Sequence, residues 1–172
     1  SPFASIQAGI DVASDGDIVL VASGTYYENI NFNGKDIVVI GEHKENTIID
    51  GSQSGIVVTF NNSETSGAKI KNFTIQNGLA NNPWPYECGG GILIYNAGPT
   101  LEHLIVKNNQ AVGGGGGGIY LCNSSSLVKN VNVFNNIATE FTGGIYISSG
   151  NSPVIKNSII RNNSGYQIYV QS

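Results

Sequence analysis

The sequence predicts an all-β solenoid, a parallel β-helix, and three observations lead to this fold class. Asparagine pairs recur at intervals of 27 residues, glycine phrases of the form GGGI recur almost in step with them, and each period contains short β-branched runs without an apolar stripe of helix length. A repeat of this size is one supersecondary unit that must stack on copies of itself to bury its apolar face. The asparagine pairs are Asn108-Asn109, Asn135-Asn136 and Asn162-Asn163.

The first element is predicted to be a short helix that caps the N-terminal end of the solenoid. Ile6 and Ile10 lie on one side of a helix that starts near Ser5. Terminal units of a solenoid are atypical because they shield the open end of the core. We therefore expect a cap over residues 3–13 and coils over residues 17–172, within a single domain.

Five strand-length apolar runs follow the cap and are separated by Gly, Asn and Ser turn signals. They are Asp17–Val21, Asn29–Phe32, Asp36–Ile40, Thr47–Asp50 and Gly55–Phe60.

The second half of the chain aligns into columns that repeat from coil to coil. Alternation of period 2 places aliphatic columns inward and a charged column outward. At roughly 25 residues per coil the chain is expected to form about six coils. The inward columns are Ile70, Leu101, Val128 and Ile155; Ile75, Val106, Val133 and Ile160; Ile92, Ile119, Ile145 and Ile168; and Ile94, Leu121, Ile147 and Val170; the charged column is Lys71, Glu102, Lys129 and Lys156.

Asparagines form two further columns at the predicted turns. Asparagine tolerates left-handed backbone, and stacked asparagines can bond to each other between coils about 4.8 Å apart. His103 interrupts one column and is interpreted as a substitute in that ladder. The predicted structural ladder consists of Asn77, Asn108, Asn135 and Asn162, and of Asn72, Asn130 and Asn157.

The segment Leu79–Cys88 breaks the repeat and is predicted to be a loop insertion. It contains the only tryptophan, and insertions in solenoids go to loops on one face, often the binding face. Trp84 and Tyr86, each beside a proline, either stack on a sugar ring or fold down to cover the solenoid. The sequence leaves these alternatives open.

A second candidate binding surface is the outward column that contains Tyr120, Tyr146 and Tyr169 together with Leu93. Tyrosines stacked at strand spacing are expected to form an exposed aromatic ladder. Such a ladder either binds an extended glycan or a partner protein, or stabilises the sheet.

Few ionisable residues are available for catalysis. Arg161 is the single arginine, and the repeat strands carry no acidic cluster. Asp11, Asp15 and Asp17 are explained by helix capping and turn formation. We predict no catalytic residue, no metal site and no cofactor; calcium is permitted by the composition but nothing supports it.

The two cysteines, Cys88 and Cys122, are predicted to be free thiols. Cys122 aligns with Tyr95, which places Cys88 about 20 Å away along an extended chain, too far for a disulfide. A bridge requires the segment before Gly89 to fold back.

The opening SIQAGIDVASDGDIVLVASGTYYENINFNGKDIVVIG, then TIIDG and the GGGI and NN repeats, resembles the right-handed parallel β-helix proteins of the pectate-lyase-like superfamily. The phrase FNNIATEFTGGIY is also similar to repeats of polymorphic outer-membrane proteins. The resemblance implies the fold over essentially the whole chain. It does not decide function, because the superfamily includes lyases, hydrolases, esterases, tail spikes and catalytically silent surface proteins.

Composition favours an extracellular or cell-surface protein. The chain has 8 Lys and Arg against 12 Asp and Glu, so no basic patch indicates a nucleic-acid partner, and no apolar run is long enough for membrane insertion. We expect a secreted, non-catalytic structural, adhesin-like or glycan-contacting module with a polysaccharide as partner. The alternative is a polysaccharide-active enzyme of the pectate-lyase type, or an inactive fragment of one.

The last coil is expected to need a cover. After Ile168 and Val170 no segment comparable to the N-terminal cap follows. The sequence therefore predicts either a longer parent protein or self-association through this coil.

Overall fold

The computed structural model describes residues 3–81, 88–148 and 152–171 of the 172-residue chain. Within these ranges it contains one helix, α1 (Ile6–Val12), and a succession of short strands. The strands of the first half are β1 (Ile18–Val21), β2 (Gly24–Tyr27), β3 (Ile30–Asn31), β4 (Val38–Gly41), β5 (Thr47–Asp50), β6 (Val58–Phe60), β7 (Lys69–Lys71), β8 (Thr74–Gln76) and β9 (Leu79–Ala80). Those of the second half are β10 (Ile92–Tyr95), β11 (Thr100–Glu102), β12 (Ile105–Lys107), β13 (Gln110–Ala111), β14 (Ile119–Cys122), β15 (Leu127–Lys129), β16 (Asn132–Phe134), β17 (Ile137–Ala138), β18 (Ile145–Ile147), β19 (Val154–Lys156), β20 (Ile159–Arg161) and β21 (Ile168–Val170).

The strands stack into three long parallel sheets, so the predicted β-solenoid is confirmed. Sheet A contains β1, β4, β7, β11, β15 and β19; sheet B contains β2, β5, β8, β12, β16 and β20; sheet C contains β3, β6, β10, β14, β18 and β21. A smaller sheet pairs β9, β13 and β17. Six strands in each long sheet correspond to about five turns of the solenoid, slightly fewer than the expected six coils.

Helix α1 is present where the sequence predicts it. The Ser5 side chain accepts a hydrogen bond from the Ala8 N–H at 3.2 Å, as an N-cap residue does. The Glu28 carboxylate accepts the N–H groups of Ile6 and Gln7 at 2.8 and 3.0 Å, and so satisfies donors that the first turn of a helix leaves unpaired. Since Ile6 and Ile10 are buried, the helix presents one apolar side to the first coil.

The predicted columns match the observed register of the sheets. Leu101 pairs with Ile70 and Val128 in sheet A, and Val106 pairs in the same way within sheet B. These side chains are fully buried in one continuous core that also contains the inward residues of β10, β14 and β18 from sheet C. Within the described residues, no helix is long and apolar enough to cross a membrane.

Left-handed residues form the corners between sheets A and B and at the end of sheet B. The residues of both predicted asparagine columns have φ between +51° and +63°, and His103 has a φ of +51°. The His103 ring nitrogen Nε2 lies 3.0 Å from Asn130 Nδ2, so the interpretation of His103 as a ladder substitute is confirmed. The left-handed asparagines are Asn72, Asn77, Asn108, Asn130, Asn135, Asn157 and Asn162.

The buried side-chain ladder, however, runs through the second asparagine of each pair and not through the first. Asn109 donates through its N–H and Nδ2 groups to Asn136 Oδ1, and Asn136 donates in the same way to Asn163 Oδ1, all at 3.0 Å. A left-handed corner residue points its side chain to solvent, and the next residue returns into the solenoid. Asn108 and Asn135 are accordingly exposed.

Candidate functional site

The candidate site is a groove on the outer face of sheet C. The register places Leu93, Tyr120, Tyr146 and Tyr169 in one outward column, as predicted. The expectation of an exposed aromatic ladder is wrong, because Tyr120 is only 3% exposed and Tyr146 only 5%. These rings are part of a second apolar cluster outside the main core.

Glycine turns explain why the tyrosine column is covered. A Cβ atom at Gly89 would lie 3.0 Å from Tyr120 Cβ, and one at Gly115 would lie 2.8 Å from Tyr146 Cδ1. Because glycine has no side chain, the turn backbone can lie directly on the tyrosine side chains. The glycine run therefore packs against the outer face of sheet C.

Phe141 is the residue of this site that the sequence reasoning missed. It has a φ of +54° and is 45% exposed, although bulky side chains rarely adopt left-handed backbone. Its ring stacks on Tyr146 at a centroid distance of 5.0 Å and contacts Tyr169 at 5.3 Å. A signal exists in the sequence: alignment on the GGIY phrase puts Phe141 where the preceding coil has Gly115.

The groove beside this aromatic cluster has a volume of about 560 Å³, within the usual range for ligand sites. Neutral polar groups line it together with the rings, among them Ser148 and Gln171, and Glu140 is the one carboxylate among its described lining residues. The Tyr146 hydroxyl donates to Gln171 Oε1 at 2.6 Å. Burial raises the pKa of both Tyr120 and Tyr146, so the two phenols stay protonated over the physiological range.

Both cysteines line this groove, and both are buried and not joined in a disulfide. The predicted thiol state agrees with the structure, but the predicted separation of Cys88 from Cys122 does not. Cys88 lies in the same apolar cluster as Tyr120 and Cys122.

Trp84 and Tyr86 lie outside the described residues. The start of their segment is not a loop, because Leu79 and Ala80 form β9 and pair with Gln110 and Ala111 of β13. Leu79 and Ala80 are therefore part of the repeat and not of a loop.

A group of ionisable side chains lies on a different face. On the outside of sheet A, Lys129 Nζ is 3.0 Å and His103 Nδ1 is 3.6 Å from Glu102 Oε1. The hydrogen bond from Lys129 lowers the pKa of Glu102, and burial only partly opposes it. Glu102 and Lys129 belong to the predicted charged column, and His103 belongs to the neighbouring turn. The ion pair therefore links two adjacent coils of the solenoid. No cluster of three or more potential metal ligands is found among the described residues.

Comparison with known proteins identifies the family. Residues 30–172 match the profile described as "Right handed beta helix region", so the chain belongs to the family of right-handed parallel β-helix proteins. A search of curated proteins finds no match.

Two solved structures share the fold. A pectin methylesterase mutant in complex with a hexasaccharide has 13% sequence identity and a TM-score of 0.52, and the match covers 89% of this chain and 57% of that one. A second pectin methylesterase complex with a hexasaccharide has 13% identity and a TM-score of 0.54, with 99% and 63% covered. The chain thus spans about three fifths of the length of these proteins. At this identity the likeness establishes the fold.

Proposed function

We propose that this chain is a non-catalytic β-helix module that contacts a glycan through the groove on sheet C. The observation that carries the proposal is Phe141, a partly exposed aromatic residue held in left-handed backbone at the edge of the groove. Residues kept in sparsely populated backbone regions cluster at binding sites, where the surrounding structure offsets a cost on the order of 1–3 kcal/mol.

The chemistry of the groove suits a sugar ring. The apolar face of a pyranose can stack on the exposed Phe141 ring, and its hydroxyl groups can exchange hydrogen bonds with neutral side chains such as Tyr146, Ser148 and Gln171. The raised pKa of Tyr146 keeps its hydroxyl group protonated, and that proton is donated to Gln171 Oε1, so toward a sugar the hydroxyl oxygen can act as an acceptor. The solved pectin methylesterases with hexasaccharides are an example of saccharide complexes formed on this fold.

The groove chemistry supports a binding role over catalysis. Glycoside hydrolysis typically uses two carboxylates that flank the scissile bond, and Glu140 is the one carboxylate among the described lining residues. The second candidate, a polysaccharide-active enzyme, is favoured by the shared fold of the pectin methylesterases. A role for calcium is considered only for this enzyme candidate.

We further place the protein outside the cell or on its surface, as a structural or adhesin-like scaffold, and propose that it self-associates through its last coil. The weakly acidic composition, with a net charge of −4, and the abundance of Gly support this location. Exposed apolar residues in the last coil support the association.

The test is retention on an array of polysaccharides by the wild type and two variants. Phe141→Asn removes the ring but tolerates the left-handed backbone, so retention should be lost while the fold remains. Phe134→Ala is the matched control, because Phe134 lies on the outside of sheet B, where its ring contacts Arg161. Equal retention by the wild type and Phe141→Asn would contradict the proposal.

A parallel assay distinguishes the enzyme candidate from the non-catalytic binding module. Acidic and methyl-esterified polysaccharides are incubated with the protein, with and without calcium, and unsaturated products and methanol are measured. We expect no turnover above the background without protein. Turnover by the wild type would replace the binding role with an enzymatic one.

A further inference from the structure

We infer that the groove on sheet C selects uncharged saccharides and discriminates against uronate chains, an inference that rests on the proposed glycan-binding function. Its basis is the distribution of charge around the solenoid. The structure describes all eight Lys and Arg residues of the chain, and none of them lines the groove.

The basic residues lie on other faces. Lys71, Lys129 and Lys156 share one outward column of sheet A, and Lys107 and Arg161 lie on sheet B. Lys35 is engaged by carbonyl oxygens of α1, since its Nζ donates to Ile10 O and Asp11 O at 2.8 and 2.7 Å. A carboxylate on a sugar in the groove therefore meets no cationic side chain.

Three backbone donors of the glycine turn are already engaged within the protein. Glycine-rich turns can bind anions through successive N–H groups. Here the N–H of Gly113 donates to Thr139 Oγ1, and those of Gly116 and Gly117 donate to the Thr142 carbonyl oxygen. These groups are already used to hold the glycine turn in place.

The charge that the groove does carry is negative. Glu140 is an exposed residue at its edge, and the whole chain has a net charge of −4. A uronate close to Glu140 is repelled, and the repulsion grows as the two charges are shielded from solvent. An uncharged sugar avoids this repulsion and keeps both the stacking on Phe141 and the neutral hydrogen bonds.

Isothermal titration calorimetry on matched hexasaccharides tests this inference. Three pairs are used: β-1,4-linked glucose, β-1,4-linked mannose and α-1,4-linked galactose, each with its 6-carboxylate counterpart. Each ligand is titrated into the wild type and into Phe141→Asn, and binding that is lost in the variant is assigned to the groove. We expect groove binding of at least one neutral hexasaccharide, with its uronate about tenfold weaker at low ionic strength and the difference reduced by salt.

A further variant measures the contribution of the acidic side chain. Glu140→Gln should strengthen binding of the uronate severalfold relative to its neutral counterpart. A uronate that binds the groove as tightly as its neutral counterpart, or more tightly, overturns the inference but leaves glycan binding intact. If none of the six ligands binds in a Phe141-dependent manner, the proposed function itself fails.

Discussion

At the scale of single residues, Asn136 shows how one side chain joins three coils. Its Oδ1 atom accepts two hydrogen bonds from Asn109, and its Nδ2 group donates to Val106 O and Asn163 Oδ1, each at 3.0 Å. The side chain is fully buried, so no water can replace these bonds. Its neighbour Asn135 is exposed and contributes its left-handed backbone.

This arrangement predicts a large difference between adjacent asparagines. Asn136→Ala should lower the free energy of unfolding by about 3 kcal/mol, because it leaves buried partners in the neighbouring coils unpaired. Asn135→Gly retains the backbone conformation and should change it by less than about 0.5 kcal/mol. Urea unfolding followed by circular dichroism measures both. If the two variants have equal stability, the buried ladder does not carry this energy.

At the scale of elements, the glycines just before β14 and β18 are in close contact with the backbone of a neighbouring coil. A Cβ atom at Gly117 would lie 2.1 Å from the Ile137 carbonyl oxygen, and one at Gly144 would lie 2.0 Å from the Gln167 carbonyl oxygen. In both cases the obstacle is backbone of the neighbouring coil, which cannot move without disturbing the parallel pairing. Glycine is required at these positions for space.

Substitution of these glycines tests the close contact. Gly117→Ala should destabilise the protein by about 3 kcal/mol, because the methyl group overlaps backbone that is fixed by the next coil. Gly98→Ala is the matched control, since its nearest neighbour is the Ser125 hydroxyl, the end of a rotatable side chain, at 2.9 Å. Thermal unfolding should show a clear loss for Gly117→Ala and a small change for Gly98→Ala. Similar midpoints for both variants would show that the coils can separate at little cost.

At the scale of the whole molecule, burial changes along the solenoid. The inward residues Ile119 and Ile145 are fully buried, whereas Ile168, in the same column of the last coil, is 40% exposed. Val170 is 63% exposed, although its column partner Ile147 is only 8% exposed. Strand β21 lies at the outer edge of sheet C, so within the described residues its free edge has no neighbouring strand.

We predict that this 172-residue chain self-associates through that edge. Unpaired strand edges with apolar side chains are templates for pairing with another chain. The double variant Ile168→Lys and Val170→Lys should weaken association by about tenfold or more in sedimentation velocity experiments over a range of concentrations. Leu20→Lys is the control, because Leu20 is 79% exposed on sheet A at the other end of the solenoid. A wild type that stays monomeric at high concentration contradicts the prediction.

The repeat itself was readable from the sequence because each coil buries the same positions. The inward columns, the parallel register, the left-handed asparagines and the helix N-terminal to the coils all follow from local patterns of one or two turns. His103 was placed correctly for the same reason, since its column neighbours define its conformation. These features depend on contacts that recur at a fixed interval along the chain.

The groove could not be predicted from the repeat, because it is formed by contacts that do not recur from coil to coil. The period-2 alternation of the strands correctly places Tyr120 and Tyr146 on the outer face of sheet C. Glycine turns and Phe141 then cover these side chains. The alternation within a strand carries no information about a turn that folds back over the sheet. The buried ladder is formed by the second asparagine of each pair, one residue later than expected. The backbone path after a left-handed corner decides which of the two side chains points into the solenoid. The sequence by itself therefore determined the solenoid and its columns, through periodic burial. Only the tertiary structure decided which outward residues remain accessible, because accessibility depends on how non-repeating turns pack against the sheet.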